Sequence, residues 1–497
     1  MCCRTLVGYR MRCAFKSIVP QFARRNRRFR RVLAVCAMSL AMSGCFLHSE
    51  HPEAALEIPS AYRGGKNKPE VAVPALDWWR GFRSEELTQL IQEAQKSNLD
   101  IAVATAQIVQ ADAQIGITGA ALFPSLTGSG FAEKERVSAT RTTPATVFSL
   151  YNVGLSASYI VDFWGKNHAT LFAAEKSAIV SRYNREVVTV SSIVAVANTY
   201  FQILAAQDQL AVARQNLAAA SHILDLVNKQ FNAGTASQLD VSQQAALVAT
   251  VRASIPPLEV TLKQNVSALA VLVARAPADF NVKGRSLSQV TVPRVTPGLP
   301  SELLLQRPDI RQAEAQLESS NFNVEAARAA FLPQIQLTGT TGFQSQQLSR
   351  LFTPGAWYYT MVASLTQPIF DGGLLKNQLL QARGVQLQNL QAYRKAVLSG
   401  FSDVEQALVA LEQTTIQLRL QNDVVTNSRK AFEIAELQLA GGTVNLITVL
   451  QTEQTLFTAE TNLVQVRLSR MLAATSLFQA LGGGWLWPLH ETPAPTQ

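Results

Sequence analysis

Past residue 45 the chain contains no cysteine: all five (Cys2, Cys3, Cys13, Cys36, Cys45) lie in the first 45 of 497 residues. The body that follows therefore has no internal disulfide and no cysteine-ligated zinc or iron–sulfur centre. Histidine is nearly as scarce. His48, His51, His168, His222 and His490 are dispersed, without metal-ligand spacing. Only Met361 and Met471 remain in the body, too few for a soft-metal ladder. Neither G-x-S-x-G nor a P-loop is present, and no acid/base constellation stands out, so the sequence indicates no enzyme. Charged residues make up only 16 % of the chain against 47 % hydrophobic, which excludes disorder. No segment of the body reads as a transmembrane helix.

Positive charge is abundant in one place only. The net charge of +9 suggests a nucleic-acid or membrane-surface binder. Ten basic residues and no acidic one fall in positions 1–44, leaving 34 basic and 35 acidic groups in the other 453 residues. The body is thus nearly neutral, and no nucleic-acid partner is expected.

The basic run Arg24–Arg31, the short apolar stretch Val32–Met42 and Ser43-Gly44-Cys45 make a secretory signal. An uncleaved anchor helix is the alternative, but about 20 apolar residues are needed to span a bilayer. Met11 offers a second translation start. Leu40-Ala-Met-Ser-Gly-Cys45 resembles a bacterial lipobox. The resemblance implies removal of residues 1–44 and a lipid on Cys45 as the mature N-terminus. Phe46, in place of an aspartate, fits outer-membrane delivery.

The body repeats itself. Ala121-Leu-Phe-Pro124 resembles Ala330-Phe-Leu-Pro333, and Asp162-Phe-Trp-Gly165-Lys-Asn167 resembles Asp371-Gly-Gly373-Leu-Leu-Lys-Asn377, each 209 residues on. Phe231-Asn-Ala-Gly234-Thr235 recurs as Leu439-Ala-Gly-Gly442-Thr443 at an offset of 208. Three landmarks sharing one offset point to duplication of a domain-sized unit. The organisation expected is a linker over 45–83, repeats over 84–280 and 281–481, and a tail over 482–497.

Each half reads helix, hairpin, long helix, turn, helix. Ser84 is a helix cap with Glu85 and Glu86 in the first turn, and that helix runs to about Ile117. Its counterpart starts at Pro308-Asp309 and runs to about Phe331. Very long helices follow over about Asn167–Asn232 and Leu374–Ala440, each about 100 Å at ~1.5 Å per residue. Ile203, Leu210, Leu217, Leu224 and Phe231 recur every seven residues, interleaved with Ala206, Ala213, Ala220 and Val227. Leu411, Leu418, Val425, Phe432 and Leu439 do the same in the second half, beside Thr414, Gln421, Ser428 and Ala435. This is a coiled-coil repeat.

Between the helices the period changes to two. Tyr151, Val153, Leu155, Ala157, Tyr159 and Val161 alternate with polar or small residues, as do Ile335–Phe343 and Trp357–Leu365. A fourth, Gly-rich strand is expected around Pro124–Phe131. Runs of about 10 alternating residues suit transmembrane strands, with a Ser/Thr/Gln/Asn row facing water. A soluble half-buried sheet shows the same alternation. Four strands cannot close a membrane barrel, so several chains would have to share one. Asp162 and Asp371 sit at the strand-to-helix bends as expected helix-start caps.

At this point the sequence resembles the TolC-like outer-membrane efflux family, in its lipoprotein (OprM and NodT type) branch. The resemblance rests on Asp77-Trp78-Trp79-Arg80-Gly-Phe82, on Leu299 to Ile310 with Arg307-Pro308-Asp309, on Arg311, Ala313 and Glu314, and on Leu481-Gly-Gly-Gly-Trp485. It covers about residues 45–487. It implies an α+β membrane protein: a homotrimer with a 12-stranded barrel, four strands per chain, and a helical coiled-coil tunnel. The tunnel would meet a periplasmic adaptor (membrane fusion protein) and an inner-membrane RND-type pump. No cofactor is implied beyond the lipid. The function implied is the passive exit duct for drugs or other small toxic compounds. A type I protein secretion duct or a non-transporting coiled-coil scaffold is the alternative.

The resemblance places the adaptor-contacting tips at the turns Gly234-Thr235 and Gly442-Thr443. Asp240 matches an acidic position of the first tip. Thr448 and Gln451 stand where the family often has acidic residues, and Val444 where a basic one is sometimes used. Closure by packing and neutral hydrogen bonds, with weak cation binding at the mouth, is the expectation. Glu453 lies about 200° round the helix from Gln451 and should face elsewhere.

Overall fold

The computed structural model describes residues 76–293 and 303–483, apart from Thr143, Arg285 and Leu305, together with Ala55, Leu56, Pro59, Tyr62 and Trp485. The signal, Cys45 and the tail beyond Trp485 lie outside the described residues.

Two helices open the first half, α1 (Glu85–Ser97) and α2 (Leu99–Gly119). The hairpin β1 (Ser125–Val137) and β2 (Thr146–Val161) follows, then α3 (Lys166–Asn232) and α4 (Gln238–Leu272). The second half has α5 (Pro308–Ala329), β3 (Gln334–Ser345), β4 (Trp357–Thr366), α6 (Leu374–Ala440) and α7 (Leu446–Ala480). Both long helices, α3 and α6, have 67 residues, so each is about 100 Å long. The four strands make one antiparallel sheet in the order β1-β2-β3-β4, with β1 and β4 at its edges.

Ser84 caps α1, its hydroxyl accepting from the Leu87 N–H at 3.2 Å. The single helix expected from Ser84 to Ile117 is two helices broken at Asn98. Asn98 Oδ1 accepts from the N–H groups of Asp100 and Ile101, while its Nδ2 donates to the Leu272 carbonyl at 2.8 Å. A contact 174 residues away thus sets the break. β1 also runs six residues further than expected, to Val137, because Ala132–Val137 continue the pairing with β2.

The seam of α6 keeps the expected register: Leu411, Thr414, Leu418, Gln421, Val425, Ser428, Phe432, Ala435 and Leu439 are buried or half-buried, and apart from Glu436 the other positions of that stretch are exposed. On α3 the alanine row Ala206, Ala213, Ala220 and Val227 is buried as expected. The partner row steps back one residue after Leu210, so Asn216 and Ile223 are buried and Phe231 is exposed. The buried positions Leu210, Ala213, Asn216, Ala220, Ile223 and Val227 thus contain one extra step of three, a stammer that locally overwinds the seam.

Among the described residues, three apolar clusters hold the bundle. The largest joins Trp78, Trp79 and Phe82 to the middle of α3 and the end of α7; Trp78 stacks on Phe478 with ring centroids 4.6 Å apart. A second surrounds Val397, Phe401 and Val404 on α6, and a third fills the far tips around Ile223, Val227, Phe432 and Val449.

By length and composition α3 and α4 could each cross a membrane, contrary to the sequence expectation that no helix qualifies. The apolar residues of α3 serve packing: 56 % of its most apolar window is buried in the bundle. In α4 only 11 % is buried, so its apolar face is uncovered in a single chain.

Candidate functional site

Pairing across the sheet sorts side chains into two faces. Leu126, Ala157, Gly339 and Met361 are successive partners on one face, as are Val161, Ile335 and Leu365. Met361 is 84 % exposed and Leu365 69 %, so this apolar face is bare. The opposite face carries Thr127, Ser156, Thr340 and Thr360 as successive partners, and Asn152 opposite Gln344. Asn152 Nδ2 donates to Tyr358 Oη at 3.0 Å on that polar face. Trp357 and Tyr359 stand together at the start of β4, rings 5.3 Å apart. The geometry is that of a wall with lipid on one side and water on the other.

All four strand–helix junctions lie at the same end of the sheet, where β1 and β3 begin and β2 and β4 end. Each long helix starts from an aspartate there. Asp162 accepts from the N–H groups of Asn167 (3.0 Å) and His168 (2.9 Å). Asp371 accepts from Gly373 (2.8 Å) and Leu375 (2.9 Å). Both are caps, as expected, and not a reacting pair. Trp164 Nε1 donates to the Pro333 carbonyl at 2.7 Å, tying the two halves together beside the sheet.

Arg307, in the motif that carries the resemblance, is a structural hub. Its guanidinium pairs with Asp309 at 2.6 Å and Asp403 at 2.9 Å and donates to the Ala480 carbonyl at 3.2 Å. It thereby joins the start of α5 to α6 and to the end of α7. The glycine signature is likewise structural: Trp78 Nε1 donates to the Gly483 carbonyl at 3.1 Å.

At the far end α3 and α6 stop identically. Gly234 and Gly442 take φ of +76° and +71°. Thr235 N–H reaches back to the Gln230 carbonyl and Thr443 N–H to Gln438, both at 2.9 Å. The two threonine hydroxyls donate to the same carbonyls. This closure needs a left-handed residue, which glycine supplies without a Cβ penalty. Gln230 Nε2 donates to the Leu439 carbonyl at 3.1 Å and links the tips.

Two of the tip positions singled out in the sequence, Asp240 and Thr448, are held within their own turns. Ser237 is the cap of α4, and Asp240 closes a capping box: its Oδ2 accepts from Ser237 N and Oγ at 2.8 and 2.7 Å. Those hydrogen bonds hold the Asp240 carboxyl below its ordinary range. Thr448 donates its hydroxyl to Asn445 Oδ1 at 2.9 Å, and Asn445 is the cap of α7. Thr448 and Gln451 are exposed, whereas Val444 is half-buried against the apolar tip cluster. Glu453 faces away from Gln451 and is enclosed, as its helical angle requires.

What sequence reading missed is that Glu453 belongs to the buried seam. Leu446, Val449, Glu453, Leu456, Glu460 and Leu463 are all buried, at alternating spacings of three and four. That spacing was legible; a carboxyl in a seam position was the signal.

A family profile described as outer membrane efflux protein matches the chain twice, over residues 90–275 and 299–483. The chain is 35 % identical over 460 residues to the pyoverdine export outer membrane protein OpmQ of Pseudomonas aeruginosa, covering 91 % of this chain and 97 % of that one. It is 30 % identical over 453 residues to the probable outer membrane lipoprotein SilC of Salmonella typhimurium, covering 90 % and 97 %. Its fold superposes on the Campylobacter jejuni CmeC outer membrane channel with a TM-score of 0.80 at 25 % identity, covering 88 % of this chain and 95 % of that one.

Proposed function

Since this chain belongs to the outer membrane efflux protein family and is an outer-membrane efflux channel, we propose that three copies share one barrel and one tunnel, and that the tunnel is the exit duct of a tripartite pump. The observation that carries this reading is the sheet: four strands, one bare apolar face, and two unpaired edges, β1 and β4. In lipid each unpaired backbone group costs several kcal/mol, so an open sheet is untenable. Pairing β4 of one copy with β1 of the next closes three sheets into a cylinder. The same assembly covers the apolar residues that a single chain leaves bare on its helices, such as Val260 and Val271 on α4 and Val409, Ile416 and Leu420 on α6.

In this reading the polar sheet face lines a wetted bore, and solutes pass by size and charge without a binding pocket. A periplasmic adaptor meets the tip turns Gly234-Thr235 and Gly442-Thr443, and an RND-type pump in the inner membrane drives transport. Cys45 carries lipid. Small compounds delivered by the pump are the cargo, in keeping with the export role in the name of the Pseudomonas relative. The mouth closes by packing and neutral hydrogen bonds at Thr448 and Gln451, with no strong cation site.

Detergent extraction of the outer-membrane fraction, followed by mass-resolved size analysis, tests the assembly. A detergent-requiring trimer is expected; a soluble monomer would overturn it. Deleting the gene should raise susceptibility across a drug panel. Strong divalent-cation block from the tip side in single-channel recordings would remove the neutral-gate reading.

A further inference from the structure

Gln244 on α4 and Glu453 on α7 come from opposite halves of the chain and meet inside the tip. Neither side chain has any exposed surface. Gln244 Nε2 donates to the Ala220 carbonyl of α3 at 2.9 Å and lies 3.5 Å from Glu453 Oε2. Gln244 Oε1 and Glu453 Oε1 are each buried without a hydrogen-bond partner. Two orphan acceptors on adjacent side chains lack a donor, and a carboxylic acid is the one form of glutamate that supplies it. Of the two side chains, the Gln244 amide keeps its charge state and the Glu453 carboxyl can gain or lose a proton.

We infer that Glu453 and Gln244 form a proton-operated clasp at the tip. With the carboxyl protonated, its O–H donates to Gln244 and the seam of α3, α4 and α7 is closed. With the proton released to water, the seam encloses an unpaired anion and loosens; no other bond is made or broken.

Among the described residues no cation is paired with that anion. Glu436 on α6 repels it, and Glu436 is itself bridged to His222 Nδ1 of α3 at 3.2 Å. Arg429 of α6 is engaged with Glu460, one heptad along α7. Lys229 of α3 pairs with Asp225 at 2.6 Å, and Asp240 of α4 is tied to Ser237. Enclosure is the main cause that lifts the Glu453 carboxyl, with Glu436 adding to it against the Gln244 hydrogen bond, from 4.5 to about 7. A carboxyl raised in this way favours the closed seam fully below about pH 4.5, and that preference is lost as pH rises through about 7. In the conduit reading, on which this consequence rests, acid tightens the mouth and neutrality loosens it.

Hydrogen–deuterium exchange on the detergent-solubilised full chain tests the clasp without transport, so it can fail while the conduit reading stands. After correction for intrinsic exchange, residues 446–460 should exchange on the order of tenfold faster at pH 7.5 than at pH 5.5. Glu453→Gln, close in shape and always able to donate, should hold the slow rate at both pH values. Glu436→Gln should keep the response and move its midpoint to lower pH. Equal protection of the wild type at the two pH values, or a persisting response in Glu453→Gln, would overturn the clasp. Loss of the response in His222→Asn would assign it to the imidazole and overturn it as well.

Discussion

Asp162 and Asp371, 209 residues apart, each hold the start of a 67-residue helix by accepting two backbone N–H groups: Asn167 and His168 for Asp162, Gly373 and Leu375 for Asp371. The pairing expresses the duplication at atomic level. Partial burial pushes the Asp162 carboxyl up, but the N–H groups of Asn167 and His168 and the His168 ring outweigh it, so it sits below its ordinary 3.8. The N–H groups of Leu375 and Gly373 lower Asp371 likewise. Both caps are therefore intact above the ordinary carboxylate range and are lost only as pH falls through the lower folded values.

Asp162→Ala should cost about 1 kcal/mol of stability, the usual worth of an N-terminal cap. Asp371→Ala should destabilise in the same direction. Thermal unfolding of the detergent-solubilised protein at neutral pH checks both, and the difference between variant and wild type should shrink as pH falls below the ordinary carboxylate range.

Met361 and Thr360 are neighbours on β4 that point to opposite faces. Met361→Lys places a charge on the bare apolar face and should cost about 2–4 kcal/mol at mid-membrane depth. Outer-membrane yield should fall accordingly. Thr360→Lys should leave the yield near wild type and alter single-channel ion selectivity instead.

Gly342 stands where a side chain has no room. A Cβ there would lie 2.4 Å from the Val153 carbonyl oxygen and 2.6 Å from the Gly154 Cα, both backbone atoms. At Gly339, on the same strand, nothing lies within 4 Å of the corresponding position. Gly342→Val should therefore disrupt the β2–β3 pairing and abolish barrel assembly, while Gly339→Ala assembles normally. Outer-membrane fractionation distinguishes the two.

Gly234 and Gly442 hold left-handed backbone at the tips. Replacing either by alanine should cost about 1–2 kcal/mol, confined to the tip turn. Limited proteolysis should show faster cleavage near 232–237 or 440–445, with the sheet end unaffected.

Much of this fold is written in short-range pattern. The long helix that begins at Lys166 was expected from Asn167, and the one spanning Leu374–Ala440 was expected at both ends, because seven-residue spacing, starting aspartates and closing glycines are local signals. The two-residue alternation in β2, β3 and β4 was equally legible, since it needs only a wet face and an apolar one. The break at Asn98 was not, because the carbonyl that fixes its side chain belongs to Leu272. Nor was the step from Leu217 to Asn216 in the α3 seam, which follows from how neighbouring helices wind past one another.

By itself, then, the sequence determined the duplicated plan, the helix and strand periods and the nearly neutral body, because each depends on residues close along the chain. Only the tertiary structure decided which seam positions are enclosed. Asp240 and Glu453 are both carboxylates near a tip, yet one is held in its own turn by Ser237 and the other is sealed against Gln244 from the opposite half. The enclosure that separates them is made by helices far apart in sequence, and it sets the charge each carboxyl carries at neutral pH.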